Sequence, residues 1–151
     1  MRNVFTDEKI KNKMKLCLPS FSANEGMARA AVAAFCSQLD PDAVDIADIK
    51  CAVSEAVTNC IVHAYRETSG LIYITVTLYR DDTVKIEIRD RGCGIPDVKA
   101  AREPLFTTDA AGERSGMGFT VMESFTDGVR VRSKTGVGTT VTLIKKLGRK
   151  E

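Results

Sequence analysis

The sequence predicts a single α+β domain, a two-layer α/β sandwich in which helices cover one face of a mixed, mostly antiparallel sheet. A chain of 151 residues with 44% hydrophobic content can bury one core and is too short for two ordinary domains. Helical and alternating apolar patterns follow one another in the order strand, helix, helix, strand, strand, long loop, helix, strand, strand. We therefore expect one domain over residues 1–151, with a flexible leader through residue 13 and a flexible tail from residue 147.

The first half of the chain predicts one strand followed by two helices. Residues 14–18, which lie just ahead of Pro19, are expected to form a short strand. Asn24 is expected to cap a helix whose apolar residues keep helical spacing as far as residue 39. A second amphipathic helix is expected over residues 44–64, with one continuous apolar face.

The second half predicts two β-hairpins separated by a long loop and a helix. Apolar residues alternate over 71–79 and again over 84–88, which is typical of a hairpin with one buried face. Residues 92–116 keep no period and contain two prolines and four glycines, so we expect a loop with about one helical turn. A loop of this length is usually functional. The remaining predicted elements are a helix over 117–125 and a closing hairpin of residues 129–133 and 139–145.

Charge and cysteine content narrow the class of protein. The formal net charge is +2, from 22 basic and 20 acidic residues, so no strong field favours nucleic acid as the main partner. No apolar run reaches the ~18 residues of a membrane span, and we expect a cytoplasmic protein. The five cysteines include no C-x-x-C pair and are expected to be small buried side chains in a reducing compartment.

Two polar residues of the second predicted helix break its pattern. At about 100° per residue, Glu55 and Asn59 lie about 40° apart on a face that is flanked by apolar residues. A ligand or a loop covering that face would explain their position. When these two residues are considered alone, an exposed glutamate beside an asparagine that satisfies its own surroundings is the favoured interpretation.

Asp90 lies in the core-facing phase of its predicted strand. The apolar residues of 84–88 set the buried face, and Asp90 comes next in that phase, just before Gly92 and Gly94. A buried carboxylate without partners costs several kcal/mol, so it should accept hydrogen bonds from loop amides or from a ligand such as an amino-purine. An aspartate that caps its own turn is an equally good interpretation at this point.

A glycine-rich segment, residues 112–119, leads into the third predicted helix. Its glycines and the helix start would point backbone N–H groups into one concavity that suits phosphate oxygens. Arg114 would add a charge-assisted contact to a terminal phosphate. Neither a Rossmann G-x-G-x-x-G nor a G-x-x-x-x-G-K-S/T motif occurs, so both common phosphate loops are excluded. His63 is expected to pack within the second helix, and Ser115 has no base pattern that would support nucleophilic catalysis.

Three motifs together resemble the boxes of the GHKL ATPases. Ser54-Glu55-Ala56-Val57-Thr58-Asn59, Asp90-Arg91-Gly92-Cys93-Gly94-Ile95-Pro96 and Glu113-Arg114-Ser115-Gly116-Met117-Gly118-Phe119 match the N box and the two glycine boxes in order and spacing. Within that superfamily, Pro104-Leu105-Phe106-Thr107-Thr108 and the compact second box are similar to the serine kinases that act as anti-sigma factors in spore-forming bacteria. Three coupled boxes are far more specific than one. Cys60 and Cys93 depart from the resemblance, because small apolar residues are expected there.

The resemblance implies a Bergerat-type fold, binding of ATP and Mg²⁺, a homodimer, and phosphorylation of a serine on an anti-anti-sigma partner. It also implies inhibition of a sporulation sigma factor of the sigma F type, with no direct contact to nucleic acid or membrane. The catalytic domain of a histidine kinase shares the same boxes but would need a helical dimerisation segment, and two other functions stay open. One is a nucleotide-switched anti-sigma module with little kinase turnover, and the other is a stress-response relative that binds a sigma B type factor.

The same resemblance implies roles for individual residues. Asn59 would hold Mg²⁺ through its amide oxygen, Asp90 would accept the adenine amino group, and Glu55 would be the general base on the serine hydroxyl. Arg114 is the second catalytic candidate. Arg29 on the first helix would belong to the surface that meets the sigma factor and its antagonist. The remaining nucleotide contacts would be Gly92, Gly94, Ile95, Thr107, Thr108, Ser115, Gly116, Met117, Gly118 and Thr139.

Overall fold

The computed structural model describes residues 8–66, 68–103 and 118–148, which form five strands and four α-helices. The strands are β1 (Ile10–Pro19), β2 (Leu71–Tyr79), β3 (Thr83–Asp90), β4 (Gly128–Lys134) and β5 (Gly138–Lys146). The helices are α1 (Ala23–Cys36), α2 (Ala43–Asn59), α3 (Val98–Ala101) and α4 (Gly118–Phe125). A 3₁₀ turn (Ser37–Leu39) follows α1, and a π-helical turn (Cys60–Ala64) follows α2. Each predicted element is present, and the long second helix is divided into α2 and the π turn.

The described strands form one sheet in the order β1-β2-β3-β5-β4, and all four pairings are antiparallel. The predicted α+β sandwich is confirmed, with an antiparallel rather than a mixed sheet in this part of the chain. The short connections of the β2–β3 and β4–β5 hairpins impose that direction on their strands. Because β3 pairs with β5, the end of β3 lies beside the start of β5, where Asp90 is the partner of Thr139.

The helices pack on one face of this sheet, and strand alternation decides which residues they bury. The core-facing apolar residues of β2 and β3 are at most 2% exposed, whereas most residues between them stay partly exposed. Burial of each such aliphatic side chain contributes roughly 1.5–3 kcal/mol. None of the helices in the described ranges is long and apolar enough to cross a membrane. The largest fully buried side chains include Val32, Ile49, Val53, Val57, Ile72, Ile74, Leu78, Ile86, Ile88, Met122 and Leu143.

The two long helices begin differently. α2 begins after Asp42, whose carboxylate accepts a hydrogen bond from Asp45 N at 2.8 Å. α1 begins after Ser22, which makes no side-chain cap bond. Asn24 lies in the first turn of α1, and its Nδ2 donates to Pro19 O at 2.9 Å. The predicted cap at Asn24 is therefore wrong, because its amide ties the helix back to the end of β1.

Both ends of the described chain are held more firmly than the sequence predicts. β1 starts at Ile10 and pairs with β2 from there, so residues 10–13 belong to the sheet and not to a flexible leader. Leu147 is 2% exposed and donates its N–H to Asp82 O at 3.0 Å. The N–H of Gly148 donates to a carboxylate of α2 at 3.1 Å. The expectation of a flexible tail is therefore wrong for Leu147 and Gly148.

The cysteines are buried less uniformly than expected. Cys36 and Cys60 are buried, and burial raises the pKa of the Cys36 thiol to about 12. Cys17, Cys51 and Cys93 are exposed, so the prediction of buried side chains is wrong for these three. For Cys17, which lies in β1, the reason is that successive side chains of a strand point to opposite faces of the sheet. An apolar neighbour in the sequence is therefore no sign that the cysteine is buried.

Lys145 forms a largely buried ion pair that fastens β5 to α2. Its Nζ lies 3.1 Å from Asp48 Oδ2 and 3.9 Å from Asp45 Oδ1, and its side chain is only 13% exposed. Lys145→Ala would leave both carboxylates without their cation. We therefore expect the free energy of unfolding to fall by about 3 kcal/mol, measured by urea denaturation.

Lys146→Ala is the matched control for that prediction. Lys146 pairs with Asp81 at 3.9 Å, but the two side chains are 64% and 65% exposed. Solvent screens such a pair, so we expect its loss to leave the free energy of unfolding nearly unchanged. Equal losses in the two variants would contradict the assignment of stability to the buried pair.

Candidate active site

Asp90 is buried at the end of β3, on the face that the helices cover. It continues the phase of the core residues and is 6% exposed. Oδ1 accepts hydrogen bonds from Gly92 N at 2.9 Å and from Thr139 N at 3.2 Å. The Cys60 thiol donates to Oδ2, with Sγ at 3.6 Å. The predicted orientation of Asp90 is confirmed, and the turn-capping bond also exists but uses only one of the two carboxylate oxygens.

The surroundings of Asp90 shift the pKa of its carboxyl in opposite directions. Burial raises the pKa of the carboxyl above its ordinary value, because the ionised form loses hydration. The hydrogen bonds from Gly92, Thr139 and Cys60 oppose that rise. Burial first, and then the neighbouring charge of Asp90, raises the pKa of the Cys60 thiol well above its ordinary value. The thiol is therefore protonated at neutral pH and is the donor of this hydrogen bond.

The loop after β3 runs directly over the end of the π turn. Cys93 N donates to Ala64 O at 3.0 Å, and the Cys93 thiol donates to His63 O at 3.4 Å. Gly92 lies so close to the Ala64 carbonyl that a Cβ there would collide with it. The backbone carbonyl of His63 therefore contributes to the packing of this loop. A packing role is what the sequence predicts for His63.

Gly94 brings the same loop against the β4–β5 hairpin. Its φ is +79°, a conformation that glycine adopts without strain, and a Cβ on it would collide with the Lys134 carbonyl. Gly136 N, in the turn of the same hairpin, donates to Cys93 O at 2.7 Å. Packing of the loop thus requires a glycine here whether or not a ligand also approaches it.

Ser133 is a site residue that the prediction missed. Its Oγ accepts from Ile95 N at 2.7 Å and forms a hydrogen bond of 2.7 Å with Thr139 Oγ1. Ser133 thereby joins Ile95 and Thr139, both of which were predicted to contact a nucleotide. The signal was available in the sequence, because Ser133 is polar in the inward phase of β4 just as Asp90 is in β3.

Tyr65 anchors the start of the loop after β3 and was also missed. Its hydroxyl accepts from Arg91 N at 2.7 Å and donates to Leu71 O at 2.7 Å. Gly70 lies against the aromatic ring so closely that a Cβ would collide with it. No periodic pattern marks Tyr65, because it follows the π turn and belongs to neither a helix nor a strand.

Glu55 and Asn59 face the first residue of α4. A Cβ on Gly118 would lie 3.3 Å from Asn59 Oδ1 and 3.5 Å from Glu55 Oε2. Both side chains are partly buried, and α4 packs against α2. The prediction that the two residues share one face is confirmed. The alternative of a solvent-exposed glutamate is wrong, because another element covers that face.

The predicted phosphate loop is described only at its end. Gly118 is the first residue that the structure describes in α4, and it lies beside Asn59. The other predicted contacts, Thr107, Thr108, Arg114, Ser115, Gly116 and Met117, lie outside the described residues.

Arg29 lies on α1, apart from the elements that surround Asp90. Its side chain is 43% exposed, and its Nη1 pairs with Glu25 Oε2 at 3.4 Å one helical turn earlier. Arg29 is thus accessible on a surface of the helix layer. Its predicted role in contacting protein partners stays a prediction.

Comparisons with known proteins cover nearly the whole chain. The family model of the histidine kinase-like ATPase domain matches residues 19–145 of this chain. The anti-sigma F factor of Pasteuria penetrans is 52% identical over 138 residues, which cover 91% of this chain and 92% of that protein. The anti-sigma F factor of Bacillus subtilis is 50% identical over 141 residues, covering 93% of this chain and 96% of that protein.

Solved structures share the fold at lower identity. The RsbU and RsbW domains of a Mycobacterium tuberculosis protein align with a TM-score of 0.68 and 24% identity over 93% of this chain, which spans 34% of that protein. A chain of the SiaB–SiaC complex from Pseudomonas aeruginosa aligns with a TM-score of 0.64 and 11% identity, over 93% of this chain and 92% of that one. At these identities the likeness concerns the fold alone.

Asp90→Asn tests the balance of forces on the buried carboxyl. Because its folded-state pKa is raised, Asp90 contributes stability that is present below the ordinary pKa of 3.8 and lost as pH rises through the folded-state value. Asparagine keeps an oxygen for the N–H groups of Gly92 and Thr139 but avoids that loss. We expect Asp90→Asn to be more stable than the parent at pH 7, with a higher Tm.

Thermal denaturation without nucleotide, at pH 7 and near pH 4, measures this effect. The extra stability of Asp90→Asn over the parent should shrink toward pH 4, because the Asp90 carboxyl of the parent takes up its own proton there. Asp90→Ala is the control, because it removes the acceptor and should cost about 1–3 kcal/mol. A loss of stability in Asp90→Asn at pH 7 that vanishes near pH 4 would contradict the prediction.

Proposed function

The chain belongs to the histidine kinase-like ATPase family and, within it, to the anti-sigma F factors, and we propose that it is also an ATP-dependent serine kinase. In this proposal it binds and inhibits a sporulation sigma factor of the sigma F type. It phosphorylates a serine of the anti-anti-sigma antagonist, using ATP and Mg²⁺. The observation that carries the proposal is the position of Glu55 beside Asn59, under the first residue of α4.

Asp90 would recognise the adenine base. The exocyclic amino group of adenine needs an acceptor in a buried pocket, and Asp90 Oδ2 accepts only a thiol hydrogen bond within the described part of the chain. Ile95 and Thr139, joined through Ser133, would flank the base. Gly92 would keep the loop close to it. These donors and acceptors fit an amino-purine.

The start of α4 would hold the phosphates. Gly118 has no side chain and so leaves open the space beside Asn59 and Glu55 that a Cβ would enter. Backbone N–H groups at a helix start suit phosphate oxygens, and Arg114 would add a charge-assisted contact. The further phosphate contacts of the proposal are Gly94, Thr107, Thr108, Ser115, Gly116 and Met117.

Glu55 and Asn59 would provide the groups for phosphoryl transfer. The amide oxygen of Asn59 is the kind of ligand that Mg²⁺ takes. When bound, Mg²⁺ would neutralise charge on the phosphates. Glu55, one helical turn before Asn59, would accept the proton of the serine hydroxyl whose oxygen attacks the terminal phosphate. Phosphoryl transfer needs little other covalent work from the protein, so positioned groups are sufficient.

The protein partners would meet the exposed surface of α1. Arg29 is accessible there, and its pairing with Glu25 limits the directions in which the guanidinium can point. We assign Arg29 to the surface that contacts the sigma factor and its antagonist. A homodimer in the cytoplasm, without direct contact to nucleic acid or membrane, completes the proposal.

A nucleotide-switched anti-sigma module with little kinase turnover is the second candidate. Such a module would need Asn59 and Asp90 but no carboxylate beside the metal ligand. The proximity of Glu55 Oε2 to Gly118 therefore favours the kinase. A stress-response relative of the sigma B type would use the same site, and relatives named anti-sigma F factor favour the sporulation type.

Glu55→Gln should keep nucleotide binding and lose phosphoryl transfer. Glutamine preserves the size of the side chain but cannot take the serine proton, so we expect the transfer rate to fall ~10²- to 10⁴-fold. The purified protein is incubated with Mg²⁺, ATP and the anti-anti-sigma protein of the same organism. Phosphoserine is then followed over time by mass spectrometry.

Glu123→Gln is the control for this experiment, because Glu123 is 47% exposed on α4 and pairs with Arg102. It should transfer phosphate at the parent rate. Unchanged transfer in Glu55→Gln would remove Glu55 from the role of base. A parent protein that binds ATP but yields no phosphoserine would favour the nucleotide-switched module.

Gly118→Ala should weaken nucleotide binding without unfolding the protein. The added Cβ would lie 3.3 Å from Asn59 Oδ1, in the space proposed for phosphate and metal. We expect affinity for ATP with Mg²⁺ to fall about tenfold, measured by calorimetry, at an unchanged Tm. Gly128→Ala is the matched control, since its Cβ would make only an ordinary 3.9 Å contact with Ile144. Equal affinities in all three proteins would contradict the proposed phosphate position.

A further inference from the structure

Cys60 makes the only side-chain hydrogen bond that reaches Asp90 among the residues the structure describes. Its Sγ lies 3.6 Å from Asp90 Oδ2, and the two residues are 3% and 6% exposed. Cys60 follows Asn59 directly and opens the π-helical turn. Such turns within helices frequently occur at functional positions. The thiol is therefore held at the buried end of the helix that also carries Asn59.

The two oxygens of Asp90 are not equivalent. Oδ1 accepts two backbone N–H groups, from Gly92 and Thr139, which occupy its two lone pairs. Among the residues that the structure describes, Oδ2 accepts only from the thiol, a weak donor, and so keeps the capacity for one more hydrogen bond. A base that approaches this carboxyl would therefore meet Oδ2, next to Cys60.

The protonation state of Asp90 decides which purine it can recognise. An ionised carboxylate only accepts, and so matches a 6-amino group, whereas a neutral carboxyl can donate to a 6-oxo group. Because Oδ1 is occupied by N–H groups, a proton on this carboxyl would reside on Oδ2. Burial raises the pKa of Asp90 and favours that neutral form, while the hydrogen bond from Cys60 opposes it.

We propose that Cys60 is a positioning residue for base recognition. By donating its thiol to Asp90 Oδ2, it keeps that oxygen an acceptor and so sets a preference for 6-amino over 6-oxo purine nucleotides. The inference rests on the proposed function, since it refines the base site of an ATP-dependent kinase. Cys60 acts through Asp90 and need not touch the nucleotide.

The choice of cysteine fits this role. A small apolar residue at this buried position would leave Oδ2 without a donor among the described residues, and only the N–H groups of Gly92 and Thr139 on Oδ1 would then oppose the effect of burial on the pKa of Asp90. A thiol donates weakly over a long distance, here 3.6 Å, and therefore leaves room for the base to share the oxygen.

Calorimetry on Cys60 variants tests the inference. ATP and inosine 5′-triphosphate, which carries an oxo group at the same ring position, are titrated with Mg²⁺ at pH 7 into the parent, Cys60→Ala and Cys60→Ser. The parent should prefer ATP. Cys60→Ala removes the donor and should lower the ratio of the two affinities about 3- to 10-fold. Cys60→Ser restores a donor of similar size and should keep the ratio within about twofold of the parent.

Cys36→Ala is the matched control, because Cys36 is also buried and its thiol makes no hydrogen bond among the described residues. It should lower stability and leave the ratio unchanged. A ratio in Cys60→Ala that stays at the parent value, or rises because the thiol competes with the base, would overturn the inference. An equal fall in Cys36→Ala would overturn it too, since general loosening would then explain both results.

The outcomes also separate this inference from the proposed function. A parent that binds neither nucleotide would refute both. A parent that prefers ATP, with a ratio indifferent to Cys60, would refute the inference alone. If Cys60→Ala fails to fold, Cys60→Ser decides, because a fall of more than about threefold in a variant that keeps a donor contradicts the role of the hydrogen bond.

Discussion

The buried carboxylate of Asp90 is the constraint that organises one end of this molecule. A charge removed from water is costly unless hydrogen-bond donors surround it. Its donors come from three separate segments, the loop after β3 through Gly92, the start of β5 through Thr139, and the π-helical turn that follows α2 through Cys60. Satisfying one carboxylate therefore fixes the sheet, the loop and the helix relative to one another. The same three segments form the walls of the proposed base pocket.

α2 links the contact at Asp90 to the residues at the other end of the proposed site. Cys60 follows Asn59 directly, and Glu55 lies four residues before Asn59, about 6 Å along the axis of an α-helix. The rotation of the helix that aims the thiol at Asp90 also aims Asn59 and Glu55 at Gly118. In the proposed function, base recognition and phosphate chemistry would thus both depend on α2, and a change in the rotation of this helix would disturb both.

Strand phase predicts more of this site than any other feature of the sequence. It predicts a buried Asp90, and the same test on β4 would have identified Ser133. Helical projection predicts that Glu55 and Asn59 share a face, but only the packing of α4 shows that the face is covered. In the sequence, Cys60 is marked only by its departure from the family resemblance, and its contact with Asp90 is not predicted, because a cysteine on an apolar helix face is typical of ordinary packing. The predicted chain ends failed because hydrogen bonds between distant segments decide them, and the predicted cap failed because the Asn24 amide bonds to Pro19 O at the end of β1.

The proposed base recognition at Asp90 would depend on an electrostatic balance as well as on shape. Burial favours the neutral carboxyl, and three hydrogen bonds favour the ionised one. Two of these donors are backbone N–H groups, which most substitutions leave in place, so the Cys60 thiol is the one that side-chain replacement can adjust. The acceptor character of Asp90 then depends on a neighbour that need not touch the nucleotide. Selectivity at such a site can therefore change while the recognising carboxylate stays the same.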